Sequence, residues 1–314
     1  MTNDVVALAE QINGGQIAAL ARGITWCEAG GERAAALQEA LVVRPCHIVG
    51  VTGAPGAGKS TLLNALIGEL RARDAKVGVV AVDPTSPISG GALLGDRVRL
   101  EPLATGPDLF FRSLASRGAP GGLSAATRGA TRVLAAGGFD PVLIETVGAG
   151  QAEVEVMRVA DTVVVVLTPG AGDEMQAMKA GIMEIADIFV LNKGDRPGIG
   201  DLKSHVAATL HMRSTGDWTP PIVVTVATRY EGTDNLLDEL AAHHAHLADG
   251  PGAERSRRQA RAEAVRLARA RLDDALMRAA GTVWPNLDDG VTEAEAAERL
   301  LIEIRRELRD LETP

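Results

Sequence analysis

The sequence predicts an α/β fold: a mainly parallel sheet covered by helices on both faces, flanked by an N-terminal helical extension and a C-terminal helical arm. Three observations predict it. Short β-branched apolar runs recur from residue 46 to about residue 247 with helical stretches between them, and a parallel sheet needs that alternation because its crossovers cover both faces. The first 44 residues read instead as short Ala- and Leu-rich helices broken at Gly14 and Gly30. After Gly250-Pro251-Gly252 the strands stop and two long helical stretches follow. The expected division is therefore 1–44, 45–250 and 251–314.

In chain order the expected strands are 47–52, 77–82, 142–146, 162–167, 188–191 and 222–226, with a helix over 60–73 after the first. Residues 254–280 and 292–312 read as helices joined by a break at 281–290. Thr292 and Glu295 fit a capping box at the start of the last helix. Ala297, Leu301, Ile304, Leu308 and Leu311 then follow a 4-3-4-3 spacing that lines one apolar seam. Two heptads leave open whether the seam packs on the chain's own 254–280 helix or on a second subunit.

Composition narrows the function. The chain has 314 residues, 46% of them hydrophobic, enough for a sizeable core, but only 3% aromatic, so Val, Leu and Ala must do the packing. A net charge of −9 without runs of Lys or Arg argues against nucleic acid as partner, since phosphate neutralisation needs clustered cations. A nucleotide remains possible, because a few backbone N–H groups and one Lys can hold it. Cys27 and Cys46 are too few for a disulfide framework or a zinc site and read as thiols in a reducing compartment. Met1 is followed by polar and acidic residues, and the apolar run 163–167 is too short to span a bilayer. A cytoplasmic protein with no membrane partner is expected.

Gly53-Ala54-Pro55-Gly56-Ala57-Gly58-Lys59-Ser60 is a full G-x-x-x-x-G-K-[ST], fed by a strand and followed by a helix. Such a loop turns successive N–H groups inward to cradle phosphate oxygens, and the helix start adds its positive dipole end. Lys59 can reach the β- and γ-phosphates, Ser60 can ligate Mg²⁺, and Thr61 adds a hydroxyl near the α-phosphate. Asn192-Lys193-Gly194-Asp195 follows the strand 188–191. The Asp195 carboxylate can accept from the N1–H and exocyclic amine of guanine, a donor pair that adenine lacks. Lys193 is expected to lay its stem over the base, and Asn192 to tie this segment to the phosphate loop. The nucleotide is therefore expected to be GTP or GDP.

Glu145-Thr146-Val147-Gly148 ends a strand in the form [DE]-x-x-G, so Glu145 can hold Mg²⁺ while the Gly148 N–H senses the γ-phosphate. Asp83 ends another strand and reads either as a metal-site acid or as a turn residue before Pro84. The Ser- and Gly-rich segment 85–99, with Asp96, could order around metal and phosphate and relax after hydrolysis. Arg97, Arg112 and Arg117 are weaker candidates. Gln151 lies three residues beyond Gly148, poorly placed to position water, so slow intrinsic hydrolysis is expected. His243, His244 and His246 read as helix-end or surface residues rather than metal ligands.

The stretches 53–61, 81–97, 117–123, 144–153 and 174–195 resemble the MeaB-like G proteins, the family of the methylmalonic aciduria type A protein and of members labelled ArgK, as transport kinases. The resemblance covers roughly residues 1–285. It implies a P-loop NTPase G domain with a C-terminal dimerisation arm. It also implies a GTPase chaperone that gates cofactor loading and protects an adenosylcobalamin-dependent acyl-CoA mutase, with a cobalamin adenosyltransferase as a further partner. Carried over, Lys59 and Ser60 hold phosphate and Mg²⁺, and Asp83, Asp96 and Glu145 surround the metal. Residues 148–153 correspond to one switch, and 174–185, with Gln176 and Lys179, to a switch that contacts the mutase. Val226-Ala227-Thr228 falls where the last guanine-contacting loop lies. Val226 replaces the usual Ser, which weakens a side-chain contact but leaves the Ala227 N–H available for the guanine oxygen. Rival readings are a small-molecule kinase and a nucleotide-responsive scaffold with negligible turnover.

Overall fold

The computed structural model describes residues 3–83, 107–115, 122–146, 159–170, 185–211, 217–248, 250–286 and 291–310. The β-branched runs form β1 (Ile48–Thr52), β2 (Val77–Asp83), β4 (Val142–Thr146), β5 (Thr162–Leu167), β6 (Ile188–Leu191) and β7 (Ile222–Val224). A seventh strand that the sequence reading did not anticipate, β3 (Leu109–Ala115), lies at the sheet edge beside β2. Its sequence LFFRSLA is interrupted by Arg112 and Ser113, because an edge strand does not need a continuous apolar run. The sheet order is β3-β2-β4-β1-β5-β6-β7 and every pairing is parallel.

The helices are α1 (Asn3–Asn13), α2 (Ile17–Ala29), α3 (Gly31–Ala40), α4 (Lys59–Ala72), α5 (Gly122–Ala136), α6 (Ile199–His211), α7 (Thr233–Ala248), α8 (Pro251–Val283) and α9 (Glu293–Asp310). Alternate strand residues feed two apolar clusters, as a pleated strand requires. Val163, Val165 and Leu167 of β5 join α1, α2, α3 and α5 in one cluster. Val164 and Val166 join Leu62, Leu63, Leu66 and Ile67 of α4 and Leu236, Leu237 and Leu240 of α7 in the other. Full burial of each such Leu or Ile stabilises by about 2 kcal/mol, which fixes α4 against the sheet and so fixes the loop that precedes it.

The chain divides into two compact units, Met1–Gly252 and Ala253–Pro314. The N-terminal helices belong to the first unit and share its core with the sheet. In the second, α8 is one helix longer at both ends than the expected 254–280. The capping box at α9 forms: Glu295 N–H donates to Thr292 Oγ1 at 3.3 Å and Thr292 N–H to Glu295 Oε2 at 3.0 Å. Of the seam, Ala297 is exposed, Leu301 is 56% exposed and Ile304 is half-buried, while the Leu308 side chain and Leu311 lie outside the described residues. Among the described residues no helix is long and apolar enough to cross a membrane.

Candidate functional site

Because all strands run the same way, their C-terminal ends deliver the motifs to one edge of the sheet, where open α/β folds bind ligands. The central strand β1 runs into the 53–60 loop, and its neighbour β4 carries Glu145 opposite Val51. β2 ends at Asp83, in register with Ala115. β6 leads into Asn192–Asp195, and β7 leads into a 3₁₀ turn, Ala227–Arg229.

Two glycines of the phosphate loop are required by close approach. Gly53 has φ +144°, and a Cβ there would lie 2.2 Å from the Val166 carbonyl oxygen. Gly58 has φ +89°, and its Cβ would lie 2.4 Å from Asn192 Nδ2. The loop thus turns inward under β5 and against the segment that begins at Asn192, with Pro55 and Gly56 exposed at its crest and Ala57 buried. Lys59 opens α4, and its side chain is only 6% exposed. Its Nζ donates to Gly53 O at 2.6 Å and Ala54 O at 3.0 Å. An ammonium has three donors and no acceptor, so burial is tolerable only where carbonyls meet it, and the curled loop supplies two. Thr61, on the next position, is exposed.

Ser60 Oγ donates to Glu145 Oε1 at 2.7 Å, and Glu145 is 1% exposed. Beneath them Thr146 Oγ1 donates to Thr52 Oγ1 at 3.2 Å, joining the ends of β1 and β4. A hydroxyl and a carboxylate side by side form a hard oxygen donor set, which fits Mg²⁺. Asp83 is described in backbone alone. Asp96, Gly148, Gln151, Gln176 and Lys179 lie outside the described residues, as do Arg97 and Arg117. Arg112 is described, and it points to structure: it donates to Thr25 and forms a 2.5 Å ion pair with Glu28 of α2.

Asn192 is 3% exposed and links three loops. Its Nδ2 donates to Ala57 O at 2.9 Å, the tie to the phosphate loop that the sequence suggests. Its Oδ1 accepts from Thr225 Oγ1 at 3.1 Å and from the Ala227 N–H at 3.2 Å. The Ala227 N–H, expected to stand available, is therefore engaged by Asn192. Lys193 adopts φ +58°, an uncommon state for a side-chain-bearing residue, and Nζ donates to Gly56 O at 2.6 Å. The Gly194 N–H donates to Thr225 O at 2.9 Å. Asp195 stands at the rim, its side chain 43% exposed, and Arg229 Nη1 donates to its Oδ2 at 3.3 Å. Val226 is buried and Thr228 exposed. Arg229 was not anticipated from the sequence. Its residue type is unremarkable, and only closure of the turn brings it to Asp195.

The histidines form a separate cluster at the opposite sheet edge. His243, 2% exposed, is a core residue rather than a surface one. Its Nδ1 lies 2.7 Å from Thr162 Oγ1, and His47 Nε2 lies 2.7 Å from the same hydroxyl. His243 Nε2 faces Asp187 Oδ1 at 3.5 Å. Since Asp187 accepts, His243 is assigned Nε2–H, so Thr162 donates to Nδ1 and accepts from His47. Burial, with the His244 and His243 rings beside it, pushes His47 down to about 3. Burial pushes the thiols of Cys27 and Cys46 up to about 11 and about 12, so both are poor nucleophiles. Among the described residues no group of three or more His, Cys, Asp or Glu is placed to hold a metal.

Comparison with known proteins shows what the chain is similar to. A family described as methylmalonyl Co-A mutase-associated GTPase MeaB matches residues 20–281. A Pyrococcus abyssi protein named provisionally as a GTPase is 47% identical over 246 residues, 76% of each chain. The GTPase ArgK of Escherichia coli is 40% identical over 238 residues, 71% of this chain and 70% of its own. The mitochondrial methylmalonic aciduria type A homolog of Mus musculus is 34% identical over 262 residues, 75% of this chain and 62% of its own. A crystal structure of an LAO/AO transport system kinase superposes with a TM-score of 0.71 at 25% identity, over 97% of this chain and 99% of the other. With a match over residues 20–281 and relatives of this similarity, the chain belongs to the MeaB family of P-loop proteins.

Proposed function

We propose that this chain binds and hydrolyses GTP and uses that cycle to act as a chaperone of an adenosylcobalamin-dependent acyl-CoA mutase. The observation that carries the nucleotide reading is the joining of two loops at one sheet edge: Asn192 donates to Ala57 O and Lys193 to Gly56 O, so the phosphate cradle and the base reader form one surface. The mutase reading rests on the family description and on the name of the mouse relative.

Backbone N–H groups of residues 53–60 and the N-terminus of α4 bind the phosphates. Lys59 exchanges loop carbonyls for β- and γ-phosphate oxygens, and Asp195 takes the two guanine donors. Ser60 and Glu145 would hold Mg²⁺, whose charge offsets that of the phosphates when bound. Thr61 and Thr228 line the phosphate and base ends, with Val226 and Ala227 backing the base. Asp83, Asp96, Gly148 and Gln151 belong to the phosphate-sensing segments in this reading, and Gln176 and Lys179 to the segment that meets the mutase. Hydrolysis is slow in the isolated chain and rises when the mutase orders those segments. The exposed Leu301 and Ile302 of α9 support a homodimer through the C-terminal helices. A cobalamin adenosyltransferase is a further partner, and the setting is cytoplasmic.

The test is phosphate release from GTP with and without methylmalonyl-, isobutyryl- and 2-hydroxyisobutyryl-CoA mutases. Stimulation by one of them, with nucleotide-dependent binding of that mutase, is the expected result. If no mutase changes the rate and nucleotide state leaves mutase binding unchanged, the chaperone reading fails. Phosphoryl transfer to a small basic amino acid instead would establish the kinase named in the structural neighbour.

A further inference from the structure

The turn after β7 carries a feature that phosphate and base contacts do not account for. It closes on itself: Val226 N–H donates to Glu231 O at 3.0 Å, and Arg229 N–H donates to Val226 O at 2.8 Å. That closure sets Arg229 and Glu231 on one side, facing Asp195 from the neighbouring loop. The guanidinium is gripped along one edge: Nε donates to Glu231 Oε1 at 2.8 Å and Nη2 to Glu231 Oε2 at 3.1 Å. A guanidinium is planar and rigid, so fixing that edge fixes the direction of Nη1. Nη1 points at Asp195 Oδ2, 3.3 Å away. The two loops are further locked by the Gly194 N–H on Thr225 O, one residue before Asp195.

We propose that Arg229, clamped by Glu231, is a specificity-determining positioning residue that holds the Asp195 carboxylate in the orientation that accepts both donors of guanine. The inference rests on the guanine-binding reading above and deepens it. Asp195 is 43% exposed and Arg229 51%, so the pair is too wet to matter much to the fold. Its value is in aim. A rim carboxylate turns about its side-chain torsions, and a two-point contact with N1–H and the 2-amino group needs one setting of them. Each carboxylate oxygen has two acceptor positions. Arg229 fills one on Oδ2 and leaves Oδ1 and the second position on Oδ2 for the base. Val226 offers no side-chain donor that could do the same from the turn.

The reasoning separates ligands by how many contacts they make to Asp195. GDP makes two, IDP lacks the 2-amino group and makes one, and ADP lacks the pair. Loss of orientation therefore costs GDP more than IDP and leaves ADP unchanged. Titration calorimetry on the full chain, for the wild type, Arg229→Ala, Arg229→Lys and Glu231→Gln, tests this. The expected result is a GDP affinity weakened about fivefold to tenfold in Arg229→Ala, with IDP weakened about twofold or less. Arg229→Lys should not restore the GDP-to-IDP ratio, because an ammonium cannot grip Glu231 and reach Asp195 at once. Glu231→Gln should fall between the wild type and Arg229→Ala. Equal losses for GDP and IDP would reduce Arg229 to a general prop of the turn and overturn the proposal, as would an unchanged GDP affinity. A wild type that holds ADP as tightly as GDP overturns the guanine reading itself, and this proposal with it.

Discussion

Lowering the pH below 6.5 should destabilise the first unit through His47, and the size of the effect follows from its surroundings. His47 is 8% exposed, directly before β1, and its Nε2 is hydrogen-bonded to Thr162. The His244 ring lies 4.2 Å from it, centroid to centroid, and its backbone N–H is held by Asp140 Oδ1. Its pKa falls from 6.5 to about 3 on folding, chiefly by burial. The unfolded chain therefore binds the proton first. Above about pH 6.5 the group contributes nothing, and below it stability falls by about 1.4 kcal/mol per pH unit until the folded pKa is reached. Between pH 7.5 and 5.0 that amounts to about 2 kcal/mol. Urea unfolding of the wild type and His47→Gln at both pH values isolates the term, because the other titrating groups are common to both chains. Glutamine keeps an N–H for Thr162 and cannot take a proton. The stability difference between the chains should move by about 2 kcal/mol in the variant's favour at pH 5.0. Parallel profiles would show that the histidine is solvated or shifts its partners to accept the charge, and would refute the reasoning.

Lys59→Ala should weaken GTP binding by about 10- to 100-fold, the worth of charge-assisted hydrogen bonds to phosphate, with an unchanged circular dichroism spectrum; a lost spectrum would assign its bonds to Gly53 and Ala54 a structural role. Asp195→Asn should lower GDP affinity by about 100-fold and favour xanthosine diphosphate, whose added carbonyl suits an amide donor, as read by calorimetry; unchanged GDP affinity would remove Asp195 from base reading. The full chain should sediment as a dimer, and Leu301→Glu should shift it to monomer if the exposed α9 surface is the interface; a dimer unaffected by the change places the interface elsewhere.

The parallel core was legible because strands buried on both faces are apolar runs: β6 is apolar throughout, and β1, β4 and β5 turn polar only at their ends, at Thr52, Glu145, Thr146 and Thr162. β3 was not, because an edge strand with one neighbour tolerates Arg112 and Ser113. The placement of the two motifs at the ends of β1 and β6 was legible as sequence, since an apolar strand and the loop after it each leave a local mark. The state of Lys59 was not, because its carbonyl partners depend on how tightly the loop curls. The burial of His243 could have been read: Leu236, Leu240 and His243 continue one 4-3 stripe, which the neighbouring His244 and His246 obscured. Nothing local pairs Arg229 with Asp195, since the contact needs β6 and β7 aligned and the turn closed.

The shared core of α1, α2, α3 and α5 has a consequence for synthesis. Leu8, Ile12, Leu20, Ile24 and Leu37 are buried in a cluster that includes Ala130, Val133 and Leu134 of α5. A ribosome reaches α5 only about 80 residues after completing α3, an interval of roughly 4–16 s at ordinary elongation rates. For that time the first three helices carry apolar faces that α5 does not yet cover. The nascent chain is then most exposed to aggregation, and most in need of a holdase, before its phosphate loop has a partner strand.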